Sequence, residues 1–441
     1  MEMLKLMAPV VKRAKDAART IKQKTDLVVK KVTDKALTEM LDLPSLKVTG
    51  YSLEEEEAGE IVHVYSELTI EVGVCPLCKT ISSNIKSRKE RCVRDLDWSG
   101  KRVFIHFGIR RFECGECGHR FTEELEAVAW RRHQTLRFEQ EVYKRCLDSS
   151  QKAVAKALHL SRSTVKGIFI RYAKKYQRRQ HFGTVRVLGM DEIALKKRHK
   201  QYVLVLSDLE RRYVLTILPS REQAALKRWL TTLSDTQKQT IAVVSMDMWR
   251  PYRAFVETWL PHAQIVADRF HVMKHLNDQL SKARRQIQRQ ADEPTKAALK
   301  GCRWLLLYAG SSLSDEQAAK LALALAADPD LRTAYLLKEE FRLIFVRISD
   351  RHKARRFLEA WICKVYFSNN RYLLDFVRTL LNWFEQILAF FDDRISNGFV
   401  EGINRAIRAI ISRAYGFRNF DNFKLTVLAL HGHPVSYTLS P

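Results

Sequence analysis

Residues 185–218 read VRVLGMDEIALKKRHKQYVLVLSDLERRYVLTIL and contain three short runs rich in β-branched and aromatic residues. The runs 185–188, 202–206 and 213–218 are separated by charged stretches. Short apolar runs of this kind favour strands over helices, because most helices need ten or more residues. The stretch therefore predicts three consecutive strands in a meander.

Alternating elements follow the meander. The pattern predicts, in chain order, a helix from about Arg221, a strand at 241–245, a helix after Pro251 and a short strand at 264–266. Three strands in meander followed by alternating helix and strand is the order of a ribonuclease-H-like core. Nearly every stretch from 271 to about 393 then has helical periodicity, and a last amphipathic helix is predicted at about 398–414.

Two aspartates follow strands of this predicted sheet. One strand leads through Met190 into Asp191, and another leads through Met246 into Asp247, so both carboxylates are expected at the C-terminal end of a strand. The first and fourth strands of a ribonuclease-H-like sheet are neighbours, which brings the two acids close together. Either aspartate alone could be a helix cap, but a neighbouring pair repels itself unless a cation lies between.

A shared metal needs a third acid. The candidates are Asp268, Glu257, Asp392, Asp393 and Glu401. Glu401 is favoured because its predicted helix has a polar face at helical spacing, which is expected to meet metal and phosphate. That face carries Asn397, Glu401, Asn404, Arg405 and Arg408, opposite Val400, Ile403, Ile407 and Ile410.

The region 46–121 has short β-rich runs, such as 61–65, 68–72 and 103–107, and two C-x-x-C pairs. Cys75 and Cys78 are separated from Cys114 and Cys117 by 35 residues. Four thiolates on two tight turns suit one structural zinc ion in a zinc ribbon. His119 is an alternative ligand, but a solvent or DNA contact is the stronger expectation for it. The other four cysteines are scattered, which argues against a disulfide framework.

Two short helices around a tight turn are predicted next, at 151–158 and 162–172, with Ser161 as the N-cap of the second. This resembles a helix-turn-helix, whose second helix enters the major groove by its N-terminal residues. The residues expected to bind DNA are Arg162, Ser163, Thr164, Lys166 and, in the basic run that follows, Arg171, Lys174 and Lys175.

Composition agrees with a nucleic-acid partner without proving it. The 441 residues include 76 Lys and Arg against 50 Asp and Glu, a net charge of +26, while 46% of residues are hydrophobic. A folded protein with this excess attracts polyanions, although ribosomal and membrane-surface proteins do so too. No apolar run reaches the roughly 18 residues of a membrane span and no signal peptide is evident, so the chain is expected to be cytoplasmic.

These motifs resemble the ISL-three insertion-sequence family of DDE transposases. The segments similar to family signatures are Met190-Asp191-Glu192, Ser245-Met246-Asp247-Met248, Asp268-Arg269-Phe270-His271-Val272 and Glu401-Gly402-Ile403-Asn404. The cysteine pairs and the helix-turn-helix resemble the N-terminal domains of the family. The resemblance covers most of the chain and departs from it in a lysine-rich N-terminal helix up to about Asp42, which could serve dimerisation, DNA binding or packing.

The resemblance implies a mechanism. Asp191 would bridge two Mg²⁺ ions, for which Mn²⁺ may substitute, and Asp247 and Glu401 would each complete one of them. Arg405 and Arg408 would neutralise phosphate charge, with Asp268, His271, Asn397 and Asn404 in support. The alternatives are surface arginines with no catalytic part and, for His271, capping or packing at a helix start. Trp249 and Trp304 are expected to pack in cores, with base stacking as the alternative. The partners would be double-stranded DNA, both element ends and target, and a second copy of the chain in a nucleoid-associated homodimer.

The resemblance also explains the 153 residues between Asp247 and Glu401 as a helical insertion. The expected organisation is multidomain, α/β plus α. Its segments are a basic N-terminal helix (1–45), a zinc ribbon (46–130), a helix-turn-helix domain (131–182), a first part of the ribonuclease-H-like core (183–275), an all-helical insertion (276–392), the last core helix (393–430) and a tail (431–441). Two alternatives remain: a DNA-binding repressor derived from a transposase, and a nuclease without strand transfer.

Overall fold

The computed structural model describes residues 35–57, 59–179, 183–196, 201–395, 398–414, 416–417 and 419–432. The chain divides into two compact units, Met1–Tyr172 and Ala173–Pro441. Most of the predicted N-terminal helix lies outside the described residues, which begin with a helix at Lys35–Leu41. Almost all of the predicted tail lies outside them too.

The first unit is built on a five-stranded sheet. Its elements are α1 (Lys35–Leu41), β1 (Leu46–Glu56), β2 (Gly59–Leu68), β3 (Gly73–Val74), β4 (Ile81–Ser82), β5 (Ile85–Trp98), β6 (Lys101–Glu113) and β7 (Arg120–Thr122). The sheet order is β1-β2-β6-β5 with β7 beside β6, and β3 pairs with β4 separately. The predicted strand at 68–72 is wrong, because the Thr69 N–H turns back to the Ser45 carbonyl and β2 ends at Leu68.

Helices complete the first unit. They are α2 (Leu136–Asp148), α3 (Gln151–Ala157) and α4 (Arg162–Arg179), and the division between the units falls within α4. Ser161 caps α4 as predicted, since its Oγ accepts the Thr164 N–H at 3.0 Å. The buried Asp95 of β5 accepts hydrogen bonds from Thr135 Oγ1 at 2.6 Å and Arg137 Nε at 2.8 Å, which ties the sheet to the start of α2.

The second unit contains a mixed five-stranded sheet. Its strands are β8 (Val187–Lys196), β9 (Gln201–Asp208), β10 (Tyr213–Leu218), β11 (Val243–Met246) and β12 (Gln264–Ala267), in the order β10-β9-β8-β11-β12. β8, β9 and β10 are antiparallel neighbours, whereas β11 is parallel to both β8 and β12. The expected adjacency of the first and fourth strands is confirmed.

One boundary differs from the prediction. Asp191 lies in the middle of β8 and not at its C-terminal end. The strand continues to Lys196 because it forms a long antiparallel hairpin with β9, in which Asp191 pairs with Val205. The pairing with β11, by contrast, ends at Gly189. Asp191 therefore stands just beyond the parallel part of the sheet while its backbone stays held by the hairpin.

Helices cover both faces of this sheet. They are α5 (Gln223–Leu230), α6 (Asp235–Thr240) and α7 (Arg250–Trp259) on the path between strands, and α17 (Gly398–Arg413) and α18 (Phe420–His431) near the C-terminus. α5 and α7 share one apolar core with the sheet, and α17 and α18 share another with its opposite face. The sequence pattern predicts α17 but neither α6 nor α18.

Between β12 and α17 the chain is helical, as predicted for 271–393. The helices are α8 (Arg269–Gln290), α9 (Glu293–Leu299), α10 (Arg303–Leu307), α11 (Asp315–Ala326), α12 (Pro329–Arg347), α13 (Arg351–Phe367), α14 (Leu374–Asn382), α15 (Phe384–Leu388) and α16 (Phe390–Asp393). Five of them begin at an Asp or Ser whose side chain accepts a backbone N–H of the first turn. Phe341, Phe345, Trp361 and Phe376 form the aromatic centre of their core.

Trp304 does not follow the expectation of core packing. Its side chain is 56% exposed and lies between Arg303 and Tyr308 on the surface of α10. None of the helices that the structure describes is long and apolar enough to span a membrane.

Candidate active site and zinc centre

Three aspartates stand at one level across neighbouring strands. Val243 of β11 pairs with Val187 of β8 on one side and with Gln264 of β12 on the other. Asp247 lies four residues after Val243, Asp191 four residues after Val187, and Asp268 four residues after Gln264. The Asp268 N–H still donates to the Met246 carbonyl at 2.9 Å, so the row is maintained at this level. Parallel pairing thus gathers acids that are far apart in sequence.

His271 lies among the three carboxylates. It belongs to the first turn of α8, which Asp268 caps. Its Nδ1 is 3.1 Å from Oδ1 of Asp247, and its Nε2 is 3.7 Å from both Asp191 Oδ1 and Asp268 Oδ2. Burial lowers the pKa of His271, but the hydrogen bond to Asp247 and the three negative charges outweigh burial and raise it. Asp268 and His271 therefore both face the acids, as expected.

The two central aspartates have unlike environments. Asp191 is the more buried, and burial raises its pKa against the opposing charge of His271 and the hydrogen bonds from the Glu192 N–H and Asn404. Burial also disfavours the charged form of Asp247, but the hydrogen bond and charge of His271 and the Met248 N–H, at 2.6 Å, lower its pKa. The two carboxylates therefore differ in how readily each holds a negative charge.

Asn404 joins α17 to this row. Its Nδ2 donates a hydrogen bond to Oδ2 of Asp191. Its Oδ1 is buried and has no hydrogen-bond partner among the described residues. Asn404 belongs to the predicted polar face of α17, yet only 5% of the residue is exposed, because it turns toward Asp191 of β8.

The rest of α17 follows the predicted pattern. Val400, Ile403, Ile407 and Ile410 are all buried, and Arg405 and Arg408 are exposed. Glu401 is partly exposed and forms an ion pair with Arg405 at 2.5 Å, one helical turn away. Asn397 lies outside the described residues. In the described part of the chain, Glu401 and the aspartates do not form a group of ligand atoms within 4.8 Å of one another.

A second cluster of side chains, not predicted from the sequence, lies beside the row of aspartates. Glu192 follows Asp191 on β8, and its Oε1 accepts a hydrogen bond from the buried Tyr252 hydroxyl at 2.9 Å. Its Oε2 is 3.4 Å from Nη1 of Arg221. The Arg221 guanidinium carbon lies 5.1 Å from the ring centre of Tyr202 and 5.0 Å from that of Trp249. Glu192 and Tyr252 belong to or adjoin recognisable motifs, but only the fold brings Arg221 to them.

The four predicted zinc cysteines come together in the first unit. Their sulfur atoms all lie within 4.8 Å of one another, with 3.7 Å between Cys75 and Cys117 and 3.4 Å between Cys78 and Cys114. They are the only such group of potential metal ligands among the described residues, and His119 is not part of it. Four mutually close thiols fit tetrahedral zinc with every position filled by protein.

The two cysteine turns are built alike. The Cys75 N–H bonds to the Thr80 carbonyl and the Lys79 N–H to the Cys75 carbonyl, and Cys114 has the same pair of bonds with His119 and Gly118. Lys79 and Gly118 both have positive φ, at 63° and 65°. The first turn joins β3 to β4 and the second joins β6 to β7, with Phe112 and Phe121 packed beneath. This is the architecture of a zinc ribbon.

The candidate DNA-contacting residues differ in what they already bind. Arg162, Ser163 and Lys166 are exposed at the start of α4, and Lys174 and Lys175 are exposed further along it. The Ser163 and Thr164 hydroxyls each lie 2.8 Å from Ser161 Oγ, within the helix cap. Arg171 forms an ion pair with Glu139, which is almost fully buried in α2. Arg171 is thus tied to a buried acid of the neighbouring helix.

Comparison with known protein families gives three matches in chain order. Residues 71–117 match the family described as zinc-finger of transposase IS204/IS1001/IS1096/IS1165, and residues 118–173 match the helix-turn-helix domain of transposase family ISL3. Residues 188–427, more than half of the chain, match a family described as transposase.

Curated relatives agree with these matches. The chain is 31% identical over 390 residues to the transposase for insertion sequence element IS1001 of Bordetella parapertussis, covering 86% of this chain and 95% of that one. It is 28% identical over 418 residues to the transposase for insertion sequence element IS1557 of Mycobacterium tuberculosis, covering 88% and 93%. The similarity therefore spans nearly the whole of each relative.

Proposed function

The chain belongs to the ISL3 family of DDE transposases, and from that premise we propose that Asp191, Asp247 and Glu401 carry its phosphodiester chemistry. The reaction would cleave the ends of an insertion sequence by hydrolysis and then join the freed 3′-hydroxyls to target DNA. The observation that carries the proposal is the placement of Asp191 and Asp247 at one level on adjacent parallel strands, with the helix of Glu401 hydrogen-bonded to Asp191.

The catalytic unit is proposed to be a ribonuclease-H-like core. The support is the strand order β10-β9-β8-β11-β12, with three antiparallel strands followed by two parallel ones. The nine helices α8–α16 then form an insertion between β12 and α17. Their core includes Val187, Val243 and Val266 of the sheet. The insertion therefore packs against the three strands that lead to Asp191, Asp247 and Asp268.

The donors of the row suit magnesium. Mg²⁺ prefers carboxylate oxygens and commonly keeps several waters, and Mn²⁺ accepts the same ligands. The buried Oδ1 of Asn404, without a hydrogen-bond partner among the described residues, is a further oxygen beside Asp191 and fits a hydrated cation. When bound, two such ions activate the attacking oxygen and stabilise the leaving oxygen of an in-line displacement.

The protein residues orient this site. Asn404 and the Glu192 N–H fix the two oxygens of Asp191, while His271 and the Met248 N–H fix Asp247. Asp268 fixes the first turn of α8 and thereby the position of His271. These contacts would keep the carboxylates in place when a negatively charged backbone enters.

Glu401 and Arg405 are proposed to exchange partners on DNA binding. In the structure each neutralises the other at 2.5 Å, and the side chains of Arg405 and Glu401 are 74% and 42% exposed. A phosphate beside α17 would attract Arg405, and Glu401 would then be released to join Asp191 and Asp247. Arg408 is exposed one turn further on and would assist in neutralising phosphate.

DNA ends are proposed to be recognised by the zinc ribbon and by α4. The N-terminal part of α4 presents Arg162 and Lys166 for the major groove, and the zinc ribbon would hold the neighbouring surface rigid. Lys174 and Lys175 would contact the backbone, whereas Arg171 would mainly support the fold through Glu139. A homodimer is proposed because two ends must be joined.

An end-processing assay tests the function. Purified protein is incubated with Mg²⁺ and duplexes carrying the terminal inverted repeats that flank its gene, together with a target plasmid. The proposal expects 3′-end cleavage followed by joined products. Cleavage without joining would indicate a nuclease, and specific binding without either would indicate a repressor.

A further inference from the structure

We propose that Arg221 forms a phosphate-binding subsite beside the acidic row and positions the DNA strand that is cut. The inference rests on the proposed function and extends it to a residue outside the acidic triad. Arg221 lies in the connection between β10 and α5, on neither of the strands that lead to Asp191 and Asp247. It nevertheless contacts residues that adjoin both aspartates in the chain.

Two contacts link Arg221 to the row. It contacts Glu192, the residue after Asp191, through Nη1 and Oε2 at 3.4 Å. Its guanidinium lies over the ring of Trp249, two residues after Asp247, at 5.0 Å. A movement of Arg221 would therefore displace Glu192 and Trp249, which lie one residue after Asp191 and two residues after Asp247.

Aromatic packing fixes the guanidinium. It lies over Tyr202 as well as Trp249, and Tyr252 in turn packs edge-on against Trp249 at 4.5 Å. Cation–π contacts of this kind contribute about 0.5–1 kcal/mol each at exposed sites. A guanidinium held in this way loses little conformational freedom when it binds a second partner.

Arg221 retains the capacity to bind an anion. Its side chain is 46% exposed, and within the described part of the chain its only hydrogen-bond partner is Glu192. Glu192 also has a second partner, because its other oxygen accepts a hydrogen bond from the hydroxyl of the fully buried Tyr252. Most of the five N–H donors of the guanidinium thus remain for a ligand.

Charge selects the ligand. Asp191, Asp247, Asp268 and Glu192 would repel any phosphate that enters without a cation at the rim. A planar guanidinium binds two oxygens of a phosphate at once, which an ammonium group cannot do with the same geometry. The ligand class is therefore the phosphodiester backbone of DNA, at a linkage next to the one that is cleaved.

The test combines protein variants with single neutral linkages in the DNA. The probes are duplexes carrying the terminal inverted repeat, each with one methylphosphonate linkage near the cleavage point, and cleavage rates are measured in Mg²⁺. In the wild type, one neutral linkage is expected to slow cleavage about tenfold or more, as expected for loss of a charge-assisted hydrogen bond. In Arg221→Ala the same linkage should cause no further loss, while other positions keep their effects.

Two variants sharpen the result. Arg221→Lys keeps the charge but not the planar fork, and should restore cleavage only in part. Arg228→Ala is the control, because Arg228 is exposed on α5 and its Nε donates to the Ala224 carbonyl of its own helix at 3.4 Å. It should keep the wild-type profile across all linkages.

The inference is overturned if Arg221→Ala keeps the wild-type sensitivity at every linkage, or if Arg221→Lys cleaves as fast as the wild type. Should Arg221→Ala fail to fold, Arg221→Gln is scored by the same linkage profile. If the wild type itself cleaves none of the probes, the proposed function has failed instead. The two failures are therefore distinguishable.

Discussion

Asn404 of α17 donates a hydrogen bond to Asp191 of β8, across 212 intervening residues of chain. This bond connects the helix that carries Glu401 to the strand that carries Asp191, the first of the proposed catalytic aspartates. A substitution at the buried Asn404 therefore tests whether α17 belongs to the site.

Asn404→Ala is expected to slow end cleavage by about 10- to 100-fold while end binding stays within about twofold. A hydrogen bond to a charged group contributes roughly 1.5–3 kcal/mol, and here it orients Asp191. Single-turnover cleavage rates and equilibrium binding to the same duplex measure the two effects. An unchanged cleavage rate in a well-folded variant would show that Asn404 does not contribute to the site.

Arg405→Gln is expected to reduce cleavage more than binding. The variant breaks the ion pair with Glu401 and removes the positive charge that is proposed to attract a DNA phosphate to α17. If Arg405 only held Glu401 away from the aspartates, the variant would cleave faster than the wild type. Rate measurements over a range of Mg²⁺ concentrations separate these roles, and a rate above wild type would contradict the proposed phosphate contact.

Cys117→Ser is expected to abolish zinc retention and to destabilise the first unit. Binding of a structural zinc contributes about 10–16 kcal/mol to the folding of zinc-finger peptides. Metal analysis should give one zinc per chain in the wild type and in Asp247→Asn, but none in Cys117→Ser. Cys363→Ser is the matched control, since Cys363 is exposed and lies outside the cluster. Full zinc content in Cys117→Ser would refute the assigned site.

Lys166→Ala and Arg171→Ala should fail in different ways. Lys166 is exposed at the N-terminal part of α4, so its loss should weaken end binding by about 1–3 kcal/mol with no change in melting temperature. Arg171→Ala would leave the buried Glu139 without its partner and destabilise the fold by about 1–3 kcal/mol. Binding isotherms and thermal melts compare the two. Equal melting temperatures would mean that Arg171 has no structural role.

The parts of the fold that the sequence predicted have local signals. The strands at 202–206 and 213–218 show as apolar runs, and the buried face of α17 shows as apolar residues at helical spacing. The cysteine turns are defined within four residues each. In each case neighbours along the chain carry enough information to specify the element.

The features that sequence did not predict depend on distant partners. The extension of β8 past Asp191 is held by β9, and Asn404 is buried because β8 lies beside α17. Arg221 meets Glu192 and Trp249 only after the sheet has formed. Trp304 is expected in a core, yet the packing of α10 leaves it on the surface.

The most direct test of the proposed catalytic triad replaces each acid by its amide: Asp191→Asn, Asp247→Asn and Glu401→Gln. Each variant should bind the terminal inverted repeat as the wild type does and should lose at least about 10³-fold in Mg²⁺-dependent cleavage, since metal-ion stabilisation is worth several kcal/mol. Glu210→Gln, an exposed acid paired with Arg186, should cleave normally. Cleavage by Asp191→Asn at the wild-type rate would contradict the account.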